Sequence, residues 1–254
     1  MSSTLSFQLK NGMVWVRAVV EGHQLSGVLD SDSDETFLDT QTAEHLGLNR
    51  QNDQHSPSGI EKTKTESLLF DLGPSKLVAS RPSLFPIGKQ FPGMAFILGF
   101  DALGSMSFTV DYSKNMIHLG TLPKGRRVPF RSGRNVPSTQ IIFSGTTIDA
   151  VVDTGAPAGL DLPFPWVKFH LPSVEFQEAV ERKDLGPKYE ALPFQLNEIQ
   201  IGGTRLSSVK AEAIRRKDNP LDQGDGWATI GNNLLQRFAQ LGIDGPGRTC
   251  VFAV

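Results

Sequence analysis

The chain has a single cysteine, Cys250, which excludes an internal disulfide and any zinc site built on several thiolates. Its five histidines, His23, His45, His55, His118 and His170, show no metal-binding spacing such as His-Glu-x-x-His. A Gly-x-Ser-x-Gly nucleophile elbow is missing as well. Neither charge dominates, with Lys+Arg at 25 against Asp+Glu at 27, so the concentrated basic face that nucleic acid requires is not expected. One basic cluster, Lys124, Arg126, Arg127, Arg131 and Arg134, falls in a stretch bearing Pro and Gly and reads as a solvated linker. No apolar run approaches the ~20 residues that span a bilayer, and the opening MSSTLSFQLKNG lacks the basic-then-apolar pattern of a signal peptide. These absences predict a soluble chain with no metal, no cofactor, no nucleic-acid partner and no membrane span. It would be cytoplasmic, or exported with its signal outside this stretch.

What is present is β-rich. MVWVRAVVEG, LSGVLD, SFTVDYSKNMIHLG, TQIIFSGTTIDAVVD, LPFQLNEIQIGGTRL and CVFAV are short alternating or wholly apolar segments punctuated by turn residues, and they predict strands and hairpins. Three short helices are expected, over 40–48, 176–183 and 232–241. At 254 residues the chain accommodates one large β domain or two lobes.

The stretch GVLDSDSDETFLD, residues 27–39, carries Asp30, Asp32, Asp34 and Glu35 directly after an apolar run. It is no calcium loop: counting from Asp30, position six is Glu35 where the turn needs Gly, and position twelve is Gln41 where the ion needs Glu. A solvated acidic turn would account for the charges, but an internal repeat points elsewhere. VVEGHQLSGVLDSD overlays IFSGTTIDAVVDTG at a constant offset, placing Gly22 on Gly145, Leu25 on Ile148, Val28 on Val151, Leu29 on Val152 and Asp30 on Asp153. A second pair follows, 97–119 and 229–252, each opening on two residues and a Gly (Gly99, Gly231), with Leu103 and Leu235 four residues later and Asp111 and Asp244 in a closing hairpin. The chain contains two copies of one plan.

Those two copies resemble a pepsin-like aspartic protease built from two retropepsin-like halves. In that family each half supplies a catalytic Asp in an apolar-apolar-Asp-Thr/Ser-Gly turn, with an apolar-apolar-Gly segment threaded beneath it. The second half matches through Val151, Val152, Asp153, Thr154 and Gly155, then Thr229, Ile230 and Gly231. The first half matches through Val28, Leu29, Asp30 and Ser31, then Ile97, Leu98 and Gly99. The resemblance implies an all-β, mainly antiparallel protein with few short helices, in the bilobal acid-protease fold: two pseudo-twofold related β-barrel lobes with a cleft between. The expected division is 1–121, a linker over 122–137, and 138–254. It implies Asp30 and Asp153 as the catalytic pair, with Ser31 and Thr154 cross-bracing the turns and Ser33 and Gly155 supporting them. The expected activity is cofactor-free hydrolysis of an extended polypeptide by a monomer. A covering hairpin is expected over 55–70, HSPSGIEKTKTESLLF, with Gly59 at its tip; the tyrosine that pepsin relatives carry there is absent, the only tyrosines being Tyr112 and Tyr189.

The departure is Asp32, which stands where the family has Gly. It adds a side chain to a tight turn and a third carboxylate beside the pair, which is expected to raise the pKa values there. Three readings therefore stand open: an active endopeptidase with a variant turn, a catalytically impaired pseudoprotease that binds peptides in the same cleft, and a β scaffold with no cleft function.

Overall fold

The computed structural model describes residues 3–49, 51–53, 62–143, 145–183, 188–215 and 226–254. The expected flap tip, Gly59, lies outside them. The chain is mostly β, in three mixed or antiparallel sheets. Two sheets are each drawn from one half of the sequence, and the third takes strands from both.

The first half builds an open ten-stranded sheet around the hairpin Met13–Val20 and His23–Leu29. Alternation explains how one strand serves two surfaces: Val14, Val16, Ala18 and Val20 enter the main core, while Met13 and Trp15 project from the other face into a smaller apolar cluster. Strand Phe96–Leu98 lies parallel to His23–Leu29, with Ile97 opposite Val28, and antiparallel to Phe37–Asp39.

The second half repeats these pairings. Strand Ala228–Ile230 lies parallel to Thr146–Val152, with Thr229 opposite Val151, and antiparallel to Leu160–Pro163. Here the sheet closes: Ser138–Phe143 pairs with Thr146–Val152 on one side and, through Ile141 and Ile201, with Lys188–Ile201 on the other, completing a six-stranded barrel. In each half a helix of one turn, Phe100–Leu103 or Asn232–Leu235, begins immediately after Gly99 or Gly231.

The third sheet joins the halves. The closing hairpins Ser107–Asp111/Met116–Leu119 and Gln240–Asp244/Thr249–Ala253 pair antiparallel through Ser107–Asp244 and Asp111–Gln240, flanked by Ser3–Ser6 and Arg127–Pro129. One continuous apolar core runs through both halves and this sheet.

Three expectations change. Residues 176–183 form no helix: Val180–Lys183 is a strand paired with Lys188–Ile201, because its alternating side chains find a neighbouring strand edge that a free peptide lacks. The helix expected over 232–241 stops at Leu235, since Gln240 already belongs to a strand. The basic stretch 122–137 is no free linker. Arg127–Pro129 joins the shared sheet, Arg127 pairs with Asp244 at 2.8 Å, and Arg131 pairs with Asp149 at 2.7 Å. No helix among the described residues is long and apolar enough to cross a membrane.

Candidate active site

Two strands end side by side at one place. His23–Leu29 delivers Asp30 and Thr146–Val152 delivers Asp153, each at the first residue beyond its strand. The glycine-bearing segments hold them from below: Asp30 N–H donates to Leu98 O at 3.0 Å, and Asp153 N–H donates to Ile230 O at 2.9 Å. Gly99 and Gly231 are required by proximity, because a Cβ would come 2.4 Å from Glu35 O in one case and 2.4 Å from Ala158 O in the other.

Each carboxylate is gripped by the turn that follows it. Asp30 Oδ1 accepts from the N–H of Asp32 at 3.1 Å and of Ser33 at 3.0 Å. Asp153 Oδ1 accepts from Gly155 N–H at 2.7 Å. Support from Ser33 therefore comes through its backbone; its hydroxyl donates instead to Glu35 O at 2.7 Å. The brace between turns is reciprocal. Ser31 N–H donates to Thr154 Oγ1 at 3.2 Å, and Thr154 N–H donates to Ser31 Oγ at 3.1 Å. Both side chains are fully buried.

The two carboxyl groups both line a cleft of about 830 Å³. Burial raises the Asp30 pKa above the usual carboxylate value, against the opposing pull of the Ser33 and Asp32 N–H groups. Asp153 is raised further, first by burial, then by the charge of Asp30, then by that of Asp32. Close carboxyls that cannot both ionise share a proton and titrate as a coupled pair, so one group is an acid while the other is a base.

No protein-family model matches this sequence, and no curated protein matches it. The chemistry of the site thus stands on its own geometry.

Asp32 lines the cleft beside the pair. It is absent from the non-glycine residues with positive φ, so its backbone carries no left-handed strain in place of Gly. Arg134 Nη1 stands 4.0 Å from Asp32 Oδ1, and the Arg134 guanidinium rests over the Trp227 ring at 5.4 Å. Gly155, the corresponding position, tolerates no such change: a Cβ there would come 2.6 Å from Asp30 Cγ.

Sequence reading missed three contributors. Asn232, fully buried, donates to Thr154 O at 2.7 Å, Gly12 O at 2.8 Å and Ala156 O at 3.1 Å, tying the second turn to the hairpin at Gly12. Tyr112 OH donates to Asn232 Oδ1 at 2.8 Å, and burial together with the Asp153 charge pushes its phenol up. Arg134 was assigned to a solvated stretch. A signal for Asn232 did exist: Phe100 holds the corresponding place after Gly99, so a polar residue had replaced an apolar one in the repeat.

Proposed function

We propose that this chain is an aspartic-type endopeptidase, with two pseudo-twofold related lobes that each contribute one carboxyl group to a shared cleft. The observation that carries this reading is that Asp30 and Asp153 line one cleft at the ends of corresponding strands, each carboxylate accepting from backbone N–H of the turn that follows it. The recurring strand registers and the reciprocal Ser31–Thr154 brace support the symmetry. Both carboxyls come from one chain, so a monomer suffices.

The reaction requires a base for water and an acid for the amide. Asp153, with the more strongly raised pKa, holds the shared proton, and Asp30 takes a proton from the attacking water. Oxygen bonds to the carbonyl carbon as the Asp153 proton passes to the carbonyl oxygen, giving a tetrahedral gem-diol; Asp30 then gives the proton it took from water to the amide nitrogen, the C–N bond breaks, and the carbonyl re-forms as one hydroxyl proton returns to Asp153. Substrate polypeptide lies extended, with side chains alternating between the cleft walls.

Asp32 favours a second reading, a peptide-binding module with impaired catalysis, because its charge opposes ionisation of the pair. Cleavage of a diverse peptide pool from acidic to neutral pH, with Asp153→Asn as control, separates the two. Turnover lost in the control is expected. Folded wild-type protein that binds peptides without cleaving them would transfer the assignment to the second reading.

A further inference from the structure

The two aspartates correspond by sequence, yet the turns behind them are anchored differently. After Gly231 the second half places Asn232, whose Nδ2 gathers three carbonyls: Thr154 O at 2.7 Å, Gly12 O at 2.8 Å and Ala156 O at 3.1 Å. After Gly99 the first half places Phe100, which packs on Phe130 with ring centroids 6.0 Å apart and offers no donor. An amide side chain serves carbonyls in only one of its two orientations, because its own oxygen turned toward them would repel. Tyr112 selects that orientation by donating its hydroxyl to Asn232 Oδ1 at 2.8 Å. Tyr112 lies in the closing hairpin of the first half, so one half of the chain sets an amide in the other.

The anchor reaches the carboxyl group through one peptide plane. Thr154 C=O and Gly155 N–H are the two ends of the same trans peptide and point in opposite directions. Holding Thr154 O, which also accepts from Val14 N–H at 3.3 Å, therefore aims Gly155 N–H at Asp153 Oδ1, 2.7 Å away. The matching N–H in the first half, that of Asp32, stands 3.1 Å from Asp30 Oδ1. From the phenol onward every donor points toward Asp153: Tyr112 O–H to Asn232, Asn232 N–H to Thr154, Gly155 N–H to the carboxylate. Bonds in such a chain polarise one another and strengthen the last.

We propose that Tyr112 and Asn232 are positioning residues for the second-half aspartate, fixing the peptide that donates to it and favouring its ionised form. This inference rests on the aspartic-protease reading above, in which Asp153 releases its proton in every cycle, and supplies the device that eases the release. Asp153 feels Asp30 and Asp32 from the first turn. It shares a cleft that has an apolar wall around Met13 and Ile97 and a charged one bearing Asp161, Arg182, Tyr189 and Glu212. Tyr112→Phe leaves all of these in place. Burial pushes the Tyr112 phenol up and keeps it neutral, so the substitution also changes no charge.

The test measures kcat, KM and the pH–rate profile of Tyr112→Phe, and follows the Gly155 amide proton by NMR in the same protein. With the last donor weakened, Asp153 holds its proton more tightly. The alkaline limb should move up by roughly 0.3 pH unit or more, opposite in sign to the effect of removing the Asp32 charge. kcat should fall about threefold to tenfold with KM unchanged. The Gly155 amide proton should move upfield while that of Asp32 keeps its shift. Asn232→Ala should show the same changes in larger measure, and adding Tyr112→Phe to it should change nothing more. If Asn232→Ala fails to fold, Tyr112→Phe, which deletes one oxygen, carries the test. An unmoved profile together with an unmoved Gly155 signal, whatever the melting temperature, would reduce both residues to structural props and overturn the proposal, leaving the protease reading standing. In a wild type without turnover the NMR signals decide alone. A Gly155 shift in Tyr112→Phe would then keep the chain and sink the protease reading; no shift would sink both.

Discussion

Ser31 and Thr154 are hydrogen-bonded to each other in both directions, and each hydroxyl then donates across to the carbonyl just before the other half's aspartate. Ser31 Oγ reaches Val152 O at 2.5 Å, and Thr154 Oγ1 reaches Leu29 O at 2.7 Å. Four hydrogen bonds thus lock two turns from different halves of the chain, and the carboxyl groups they carry inherit a fixed separation.

Removing either hydroxyl should be costly because it strands buried partners on both turns. Ser31→Ala and Thr154→Ala are each expected to lose about 1–3 kcal/mol in urea unfolding. The double variant should lose less than the sum, since both substitutions break the same network. Additive losses, each under half a kcal/mol, would show that the brace contributes nothing to holding the halves.

Gly155→Ala tests the closeness of the two turns. Its Cβ would meet Asp30 Cγ at 2.6 Å and Asp30 Oδ2 at 2.6 Å, so the carboxylate has to move away from Asp153. An overpacking cost of about 1–3 kcal/mol is expected, together with loss of turnover on the order of a hundredfold. Wild-type activity in this variant would mean that the carboxyl contact is not needed.

The Asp32 charge holds the Asp153 pKa up, after burial and Asp30. Asp32→Asn, which keeps the shape, and Asp32→Gly, which restores the smaller residue, should both move the alkaline limb of the pH–rate profile to lower pH. The working pair needs one proton, and without Asp32 that proton leaves sooner. Asp32→Gly should also raise turnover at acidic pH. An unmoved alkaline limb in Asp32→Asn would remove Asp32 from the electrostatics of the pair.

Stability should follow the same carboxyl group. The folded-state pKa of Asp153 is raised, so its contribution is fully present below the ordinary carboxylate range and is lost as pH rises through the folded value. Asp153→Asn removes that titration. Its Tm should match wild type at acidic pH and exceed it at neutral pH, as read by circular dichroism melts. A variant less stable at neutral pH would show that the ionised carboxylate is a net stabiliser of the turn.

Much of this was legible in the residues. The strands and hairpins followed from alternation and turn chemistry, and the pairing of Asp30 with Asp153 followed from a repeat whose registers recur in both halves. Segment 176–183 was misread because helical and strand patterns overlap in eight residues, and only the neighbouring strand Lys188–Ile201 resolves them. The basic stretch was misread for a similar reason: Asp244, Asp149 and Asp32, which face Arg127, Arg131 and Arg134, are far away in the chain.

By itself, then, the sequence determined the two-copy plan, the β character and which two carboxylates correspond, because repeats and periodicity are properties of order along the chain. Tertiary structure alone decided what lies between the copies. The meeting of Asp30 and Asp153 in one cleft, the anchoring of the second turn by Asn232 and Tyr112, and the contrast between an apolar and a charged wall all depend on proximity between residues far apart in the chain. Desolvation and charge coupling act through space at a few ångströms, and no local pattern encodes that distance.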